Sequence, residues 1–277
     1  MRLAVAILLL LLVTSVADAR TVVERDSRGA VRAELSYERS GDGFSSSFAH
    51  FRLRIFENAK PVLDRRLATC GRRCRRYAPA GYGSSRSVHI RDLNGGRPEV
   101  FVDLDTGGGY CCWVTSVERR TSHGYASSSK SWGPKRPHLT NLGGGRMLEF
   151  ISYDDRLLSP YGCNFCWRFL PHVWQVGHDG RFRDVTRHFP TRVRPGARAL
   201  RHRYFHASRH DQDVKAMLAG YVTAAHLLGT PRTGWRLAKR AYRRGELADR
   251  RGRYDFCPCG RGWIPRLRRL LARWDYR

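Results

Sequence analysis

The residues best suited to chemistry in this chain are three oxygen-bearing side chains within one short segment. Asp92, Asn94 and Glu99 lie in the stretch Asp-Leu-Asn-Gly-Gly-Arg-Pro-Glu. Alternating Asp or Asn oxygens that end on a Glu are typical of a calcium loop, but calcium takes six or more oxygen ligands. A third acidic position is missing here, and Arg97 adds a positive charge beside the segment. We therefore interpret the segment as a degenerate calcium-type loop, a glycine turn within a hairpin, and predict no metal ion and no cofactor.

Two other groups of side chains could carry chemistry. Aspartates that follow predicted strands could meet on a domain rim, where paired carboxylates would suit glycoside hydrolysis, although loop aspartates are usually turn formers. Histidines spaced four residues apart would share one helix face and could bind a transition metal, with spacing as the sole support. The aspartates are Asp103, Asp105, Asp154 and Asp155, and the histidines are His202, His206 and His210. Because no nucleophile elbow, phosphate-binding loop or zinc-protease motif is present, the sequence favours a non-enzymatic protein.

The eight cysteines form four close pairs along the chain. The pairs are Cys70 with Cys74, Cys111 with Cys112, Cys163 with Cys166, and Cys257 with Cys259. An even number of cysteines in an exported chain indicates disulfides. The clustering favours local bridges, but adjacent Cα atoms lie about 3.8 Å apart, below the usual disulfide range. Cys111 and Cys112 therefore either form a strained vicinal bridge or cross-link to Cys163 and Cys166.

The first 19 residues are typical of a signal peptide. Arg2 precedes an apolar run from Leu3 to Val13, and Ala17-Asp-Ala19 matches a cleavage site. The run is shorter than the ~20 residues that span a bilayer, and no later segment is long enough either. We therefore predict a secreted protein without a transmembrane span, whose mature chain begins near Arg20.

The chain carries a formal net charge of +27, with 51 Lys and Arg residues against 24 Asp and Glu residues. A GC-rich genome would explain the preference for Arg over Lys, but not the excess of basic over acidic residues. The alternative explanation is attraction to an acidic polymer. Export disfavours nucleic acid as the physiological partner. An anionic cell-envelope polymer, an acidic polysaccharide or an anionic membrane surface is the better candidate.

Apolar alternation predicts antiparallel strands over most of the first 190 residues. The predicted strands lie near residues 31–37, 51–55, 88–90, 100–104, 113–117, 173–176 and 181–185. The segment 122–137 is polar and rich in Gly and Ser, so we expect a long exposed loop there. Residues 141–149 resemble residues 92–99 at an offset of 49 to 50 residues, which is the period of a propeller blade.

Prolines 190 and 195 mark a boundary, after which the pattern becomes helical. Apolar spacing predicts helices over about 214–225 and 235–242, and Pro265 suits the first turn of a third helix. In that last helix Leu267, Leu270, Leu271 and Trp274 form one apolar stripe. Arg266, Arg268, Arg269 and Arg273 lie off the stripe, and we predict that they bind anions.

The segment from Asp92 to Cys112 resembles secreted, mostly actinobacterial proteins related to FG-GAP and VCBS-type β-propeller repeats. Asp92, Asn94 and Glu99 match the acidic loop of those repeats, and Thr106-Gly-Gly with Cys111-Cys112 matches a later segment. The similarity continues through Phe182-Arg-Asp-Val-Thr186 into the C-terminal region. The resemblance implies a propeller-type fold and secretion, without an established activity.

These observations predict an α+β protein. Residues 20–190 would form an antiparallel, propeller-like β-domain, incomplete because they hold little more than three periods whereas propellers have four to eight blades. Residues 197–277 would form a small helical subdomain. The expected function is that of a secreted, disulfide-stabilised binding or cell-envelope protein, and the alternative is an extracellular glycan hydrolase that uses the rim carboxylates.

Overall fold

The structure is a computed structural model, and it describes residues 19–41, 46–67, 78–79, 86–108, 111–154, 156, 170–209, 214–248 and 260–276. Residues 107–108 and 111–112 are described by their backbone. The protein is an α+β molecule, as predicted. Three open antiparallel sheets occupy the N-terminal part, and helices occupy the C-terminal part.

The first sheet is a meander of four strands in sequence order. They are β1 (Arg20–Arg28), β2 (Val31–Ser40), β3 (Ser47–Glu57) and β4 (Lys60–Arg66). A two-residue turn joins β3 to β4, because Glu57 pairs with Lys60. Asn58 and Ala59 have φ values of 48° and 65°, the left-handed pair that a tight hairpin turn requires. Strand β1 is polar and largely uncovered, and its sequence therefore lacks the apolar alternation that identified its neighbours.

The second sheet contains β5 (Ala78–Pro79), β6 (Val88–Arg91), β7 (Glu99–Gly108), β8 (Cys111–Thr121) and β9 (Gly124–Ser131). Both β5 and β6 pair with β7, at different points along it. Strand β9 corrects the expectation of a long loop over residues 122–137, because it pairs with β8 from Val114 to Thr121. A serine-rich outer strand needs few apolar residues, since the ladder with its neighbour holds it in place.

The third sheet repeats the arrangement of the second. Its strands are β10 (His138–Thr140), β11 (Glu149–Tyr153), β12 (Pro171–Val176) and β13 (Phe182–Asp184). A glycine loop joins β10 to β11, just as residues 92–98 join β6 to β7, so the loops are equivalent in topology. Within the described ranges, each of the three sheets is open, and the sheets do not close into a ring.

Strand β7 connects the apolar layers of the β-part. Val100, Val102 and Leu104 point to one side and pack with residues of the first sheet. Phe101 points to the other side and meets Phe150 of the third sheet, with ring centroids 5.7 Å apart. The second sheet is therefore packed between the other two, and alternate residues of β7 belong to different apolar clusters.

The helical part consists of α1 (Pro190–Arg209), α2 (Lys215–Leu227), α3 (Pro231–Arg243) and α4 (Trp263–Arg273). It begins at Pro190, earlier than the expected start at residue 197, because Pro195 lies near the N-terminal end of α1 and removes only one helical hydrogen bond there. Gly234 lets α3 approach α2 closely, since a Cβ atom at this position would lie 2.9 Å from the Cβ of Ala225. Tyr242 is 41% exposed, although its spacing placed it on the apolar stripe of α3.

Arg156 joins the third sheet to the end of the chain. Its Nε and Nη2 atoms donate to the two oxygens of buried Asp154, at 2.8 and 2.9 Å. Nη1 donates to the carbonyl oxygen of Trp274 at 3.2 Å, and Nη2 donates to the hydroxyl of Tyr276. One guanidinium thus ties two residues near the C-terminus to the β-part. None of the helices in the described ranges is both long and apolar enough to cross a membrane.

We expect Phe101→Ala to lower the free energy of unfolding by about 3–5 kcal/mol, because it removes a buried ring at the centre of the layer between the second and third sheets. Tyr242→Ala makes a comparable change at an exposed aromatic residue, and should cost about 1 kcal/mol or less. Urea denaturation followed by circular dichroism measures both values. Equal losses in the two variants would contradict the central role of β7.

Candidate functional site

The loop between β6 and β7 is closed by its own amide groups. Asp92 Oδ1 accepts hydrogen bonds from the backbone N–H groups of Gly95 and Gly96, at 2.7 and 2.9 Å. Glu99 accepts one from the backbone N–H of Leu93 at 2.9 Å and one from the side-chain amide of Asn94 at 2.6 Å. Burial raises the pKa of Glu99, and the hydrogen bond from Leu93 opposes that rise. The structure brings the three predicted residues together, but most of their oxygens accept hydrogen bonds from the loop.

The loop between β10 and β11 is built in the same way. Asn141 Oδ1 accepts a hydrogen bond from the N–H of Gly144 at 2.6 Å, as Asp92 does from Gly95. Glu149 accepts from the N–H of Leu142 at 2.6 Å and from the side-chain amide of Gln175 at 2.7 Å. In both loops, therefore, a carboxylate at the start of the following strand holds the backbone of the residue that follows the Asp or Asn.

The two loops lie next to each other. Asn94 forms an isolated bridge with Met147, and the N–H of Leu148 donates to the carbonyl oxygen of Leu93 at 3.0 Å. The resemblance between residues 92–99 and 141–149 thus corresponds to two neighbouring loops with the same hydrogen-bond pattern.

We expect Glu99→Gln and Glu149→Gln each to lower the free energy of unfolding by about 1–3 kcal/mol. Each carboxylate accepts two hydrogen bonds, and the amide group of Gln would face one of those donors with a donor of its own. Glu38→Gln is the matched control, since the Glu38 side chain is 46% exposed. Urea denaturation measures all three, and a cost for Glu38→Gln equal to the other two would show that the loop bonds contribute nothing specific.

We also expect calcium to leave the melting temperature unchanged. Hard cations require several free oxygens, and here loop donors already occupy Asp92 Oδ1 and both oxygens of Glu99. Thermal unfolding in millimolar calcium and in chelator should coincide. An increase of several degrees in calcium would show that the loop still coordinates the ion.

The structure places the described rim aspartates in separate surroundings. Asp103 is buried, accepts a hydrogen bond from Thr115 Oγ1 at 2.5 Å and lies 3.6 Å from Arg136. Asp154 is buried in its pair with Arg156, and Asp105 lies half-buried on β7. Asp155 falls outside the described residues. These positions give the hydrolase alternative no pair of accessible carboxylates.

The predicted histidine site is only partly visible. His202 and His206 are exposed on α1, and His210 lies outside the described residues. Among the residues that the structure describes, no cluster of His, Cys, Asp and Glu could hold a metal ion. The shared helix face of His202 and His206 therefore gains no further ligand from the described part of the chain.

The predicted disulfides fall almost wholly outside the described part of the chain. Cys111 and Cys112 lie on β8, and the structure describes only the backbone of these two residues. The cysteines outside the described ranges are Cys70, Cys74, Cys163, Cys166, Cys257 and Cys259. Both the local bridges, such as Cys70 with Cys74 and Cys257 with Cys259, and the alternative cross-links therefore stay predictions.

Helix α4 presents its arginines to solvent. Arg266, Arg268, Arg269 and Arg273 are exposed, whereas Leu267 and Leu271 are buried in the helical core. The predicted stripe thus faces the core, with Leu270 and Trp274 partly buried beside it. Arg266, Arg269 and Arg273 follow the spacing i, i+3, i+7 and share a helix face, whereas Arg268 points elsewhere.

Arg268 lines an open groove between α3 and α4. The groove has a volume of about 640 Å³. It is lined by Pro231, Arg232, Trp235, Arg236, Lys239 and Arg268. The Arg268 guanidinium carbon lies 5.2 Å from the centre of the Trp235 ring, which is within the range of a cation–π contact. Four cationic side chains therefore line the same groove as one indole.

The groove has no acidic residue to balance its charge. In the described part of residues 190–276 the acidic side chains are Glu246 and Asp275, and neither lines the groove. The Trp235 Nε1 atom donates to His226 Nε2 at 3.0 Å, which fixes the indole at the base of α3. Burial lowers the pKa of His226, so this ring favours the neutral form, which can accept that bond. The result is a cationic groove around a fixed aromatic ring.

Sequence reasoning missed three residues of this groove. Arg232, Arg236 and Lys239 recur at i, i+4 and i+7 and so share one face of α3. That spacing was available in the sequence. Their position opposite Arg268 was not, because it depends on how α3 packs beside α4.

Comparison with known proteins gives one partial match. Residues 193–264 match the family described as the sll0997 C-terminal domain. No curated protein and no solved structure matches the chain significantly. The matched segment begins within α1 and ends at the start of α4, so it contains α3 and most of the helical part, but well under half of the chain.

Proposed function

We propose that this protein is a secreted, disulfide-stabilised, non-enzymatic binding protein that holds an anionic polymer in the groove between α3 and α4. The observation that carries the proposal is the set of four cationic side chains around Trp235, without an acidic partner among the described residues. The signal-like N-terminus and the paired cysteines support export, and export favours a cell-envelope polymer over nucleic acid.

The chemistry of the groove suits a repeating anion. Arg presents a planar fork of donors that pairs with both oxygens of a phosphate or carboxylate, and three of the four cations are Arg. Trp235 offers an apolar ring against which the backbone of a sugar or polyol chain could pack. A polymer that carries an anion on each unit would meet several of these cations in succession.

The distribution of charge along the chain supports the same partner. Residues 191–277 contain 22 Lys and Arg residues against six Asp and Glu residues, whereas the whole chain has 51 against 24. Residues 191–277 therefore carry +16 of the net charge of +27, although they are less than a third of the chain. In the β-part, many of the acidic residues pair with arginines.

A charge-matched pair of variants tests the proposal. The groove variant changes Arg232, Arg236, Lys239 and Arg268 to Gln, and the control variant changes four exposed arginines outside the groove, Arg261, Arg266, Arg269 and Arg273, to Gln. Binding to a teichoic acid and to heparin is measured at several salt concentrations. Counterion release predicts a steep decrease of affinity with salt, with about 0.7–0.9 of log–log slope per neutralised phosphate in nucleic acids.

We expect the groove variant to lose at least about tenfold in affinity and about two or more units of slope, on the scale of those nucleic acid values. The control variant should lose less, because its arginines do not converge on one site. Equal losses in the two variants would contradict the assignment to the groove. A wild-type protein that binds neither polymer at low salt would refute the proposed function.

A further inference from the structure

A second cationic cavity lies beside the loop between β6 and β7, far along the chain from the α3–α4 groove. It has a volume of about 180 Å³. Its lining includes Asn94, Arg97, Glu99, Arg119, Arg120 and His178. These residues come from the loop, from β8 and from the turn between β12 and β13.

Two of the three arginines in this cavity lack an acidic partner. The Arg120 Nε atom lies 3.4 Å from Glu57 Oε1, and its guanidinium carbon lies 5.6 Å from the centre of the Tyr125 ring. Arg97 and Arg119, by contrast, form no ion pair with any acidic side chain in the described part of the chain. The Arg119 Nε atom is buried and makes no hydrogen bond with the described residues.

The one carboxylate in the lining is already engaged. Glu99 is buried, and both of its oxygens accept hydrogen bonds, from the N–H of Leu93 and the side-chain amide of Asn94. Burial also raises the pKa of Glu99, which disfavours its charged form. The positive charge of Arg97 and Arg119 therefore dominates the cavity.

We infer that this cavity binds a small tetrahedral oxyanion, a phosphate or sulfate group, through Arg97 and Arg119. The volume exceeds the ~30 Å³ that one water occupies in the liquid, and leaves room for one such group. Arg is the side chain best suited to bind two oxygens of such an anion at once. A loop of calcium type would thus serve an anion, because loop amides already bond to Asp92 Oδ1 and to both oxygens of Glu99, and arginines line the cavity beside it.

The site is independent of the proposed function, because it uses other residues on another part of the molecule. Free phosphate and a phosphate monoester at the end of a larger molecule share the chemistry that the cavity would recognise. Inorganic phosphate, inorganic sulfate and glycerol phosphate are therefore the probes, each at constant ionic strength balanced with chloride.

Isothermal titration and thermal unfolding of the full chain measure binding. We expect saturable binding of phosphate or sulfate with a rise in melting temperature that chloride does not produce. Equal affinity for glycerol phosphate would identify a terminal phosphate monoester as an acceptable ligand, and binding of the inorganic ions alone would identify a free ion. Absence of saturable binding by all three probes at millimolar concentration would overturn the inference.

Arg97→Gln and Arg119→Gln should each weaken phosphate affinity by about tenfold or more, as the loss of a charge-assisted contact implies. Arg28→Gln, at an exposed arginine of β1, and the groove variant should leave phosphate affinity unchanged. If Arg119→Gln fails to fold, Arg97→Gln decides the question, since Arg97 is exposed on the loop. Unchanged phosphate affinity in Arg97→Gln would refute the role of this cavity, whatever the groove variant does to polymer binding.

Discussion

Strand β7 is buried on both of its faces, and the whole β-part is arranged around it. Val100 and Val102 pack into the first sheet's cluster, while Phe101, between them, packs into the third sheet's cluster. A strand with two apolar faces must be covered on both sides. The first and third sheets therefore pack against the second, one on each of its faces.

The same arrangement places charged groups where water is scarce and so demands partners for them. Glu99 and Glu149 begin β7 and β11, and each is buried beside a glycine loop. A buried carboxylate is costly unless it accepts hydrogen bonds. The backbone amides of Leu93 and Leu142 supply these bonds in the two loops. The loops thus hold their shape through amide groups, where a calcium loop would use the ion.

Positive charge is distributed differently in the two parts of the molecule. In the β-part, arginines pair with acidic side chains across strands, as Arg52 does with Asp64 and Arg54 with Glu34. In the helical part the described acidic residues are few. Three cationic side chains of α3 and Arg268 of α4 line one groove with Trp235, and no acidic residue lines it. The four cationic side chains repel one another, and a bound anion would relieve that repulsion. The cavity beside the β6–β7 loop follows the same principle on a smaller scale, because Arg97 and Arg119 lack acidic partners there.

The amino-acid pattern alone was enough to predict the class of the fold and the local elements with strong periodicity. The alternation of Val100, Val102 and Leu104 predicted β7, and the stripe of Leu267 and Leu271 predicted which face of α4 is buried. Both predictions succeed because the periodicity of an element's own apolar residues indicates which of its faces is buried. The echo between residues 92–99 and 141–149 likewise predicted two loops whose hydrogen bonds prove alike.

Features that depend on contacts between elements became visible only in the folded molecule. Strand β9 is polar and is defined by its ladder with β8, so no apolar pattern could reveal it. The Arg156 contacts join residues more than 100 positions apart, and the groove arises where α3 meets α4. The exposure of the α4 arginines could therefore be predicted from the sequence, but the groove that one of them lines could not. Periodicity reports which side of an element is buried, but it does not report which element covers that side, and the candidate sites lie where two elements meet.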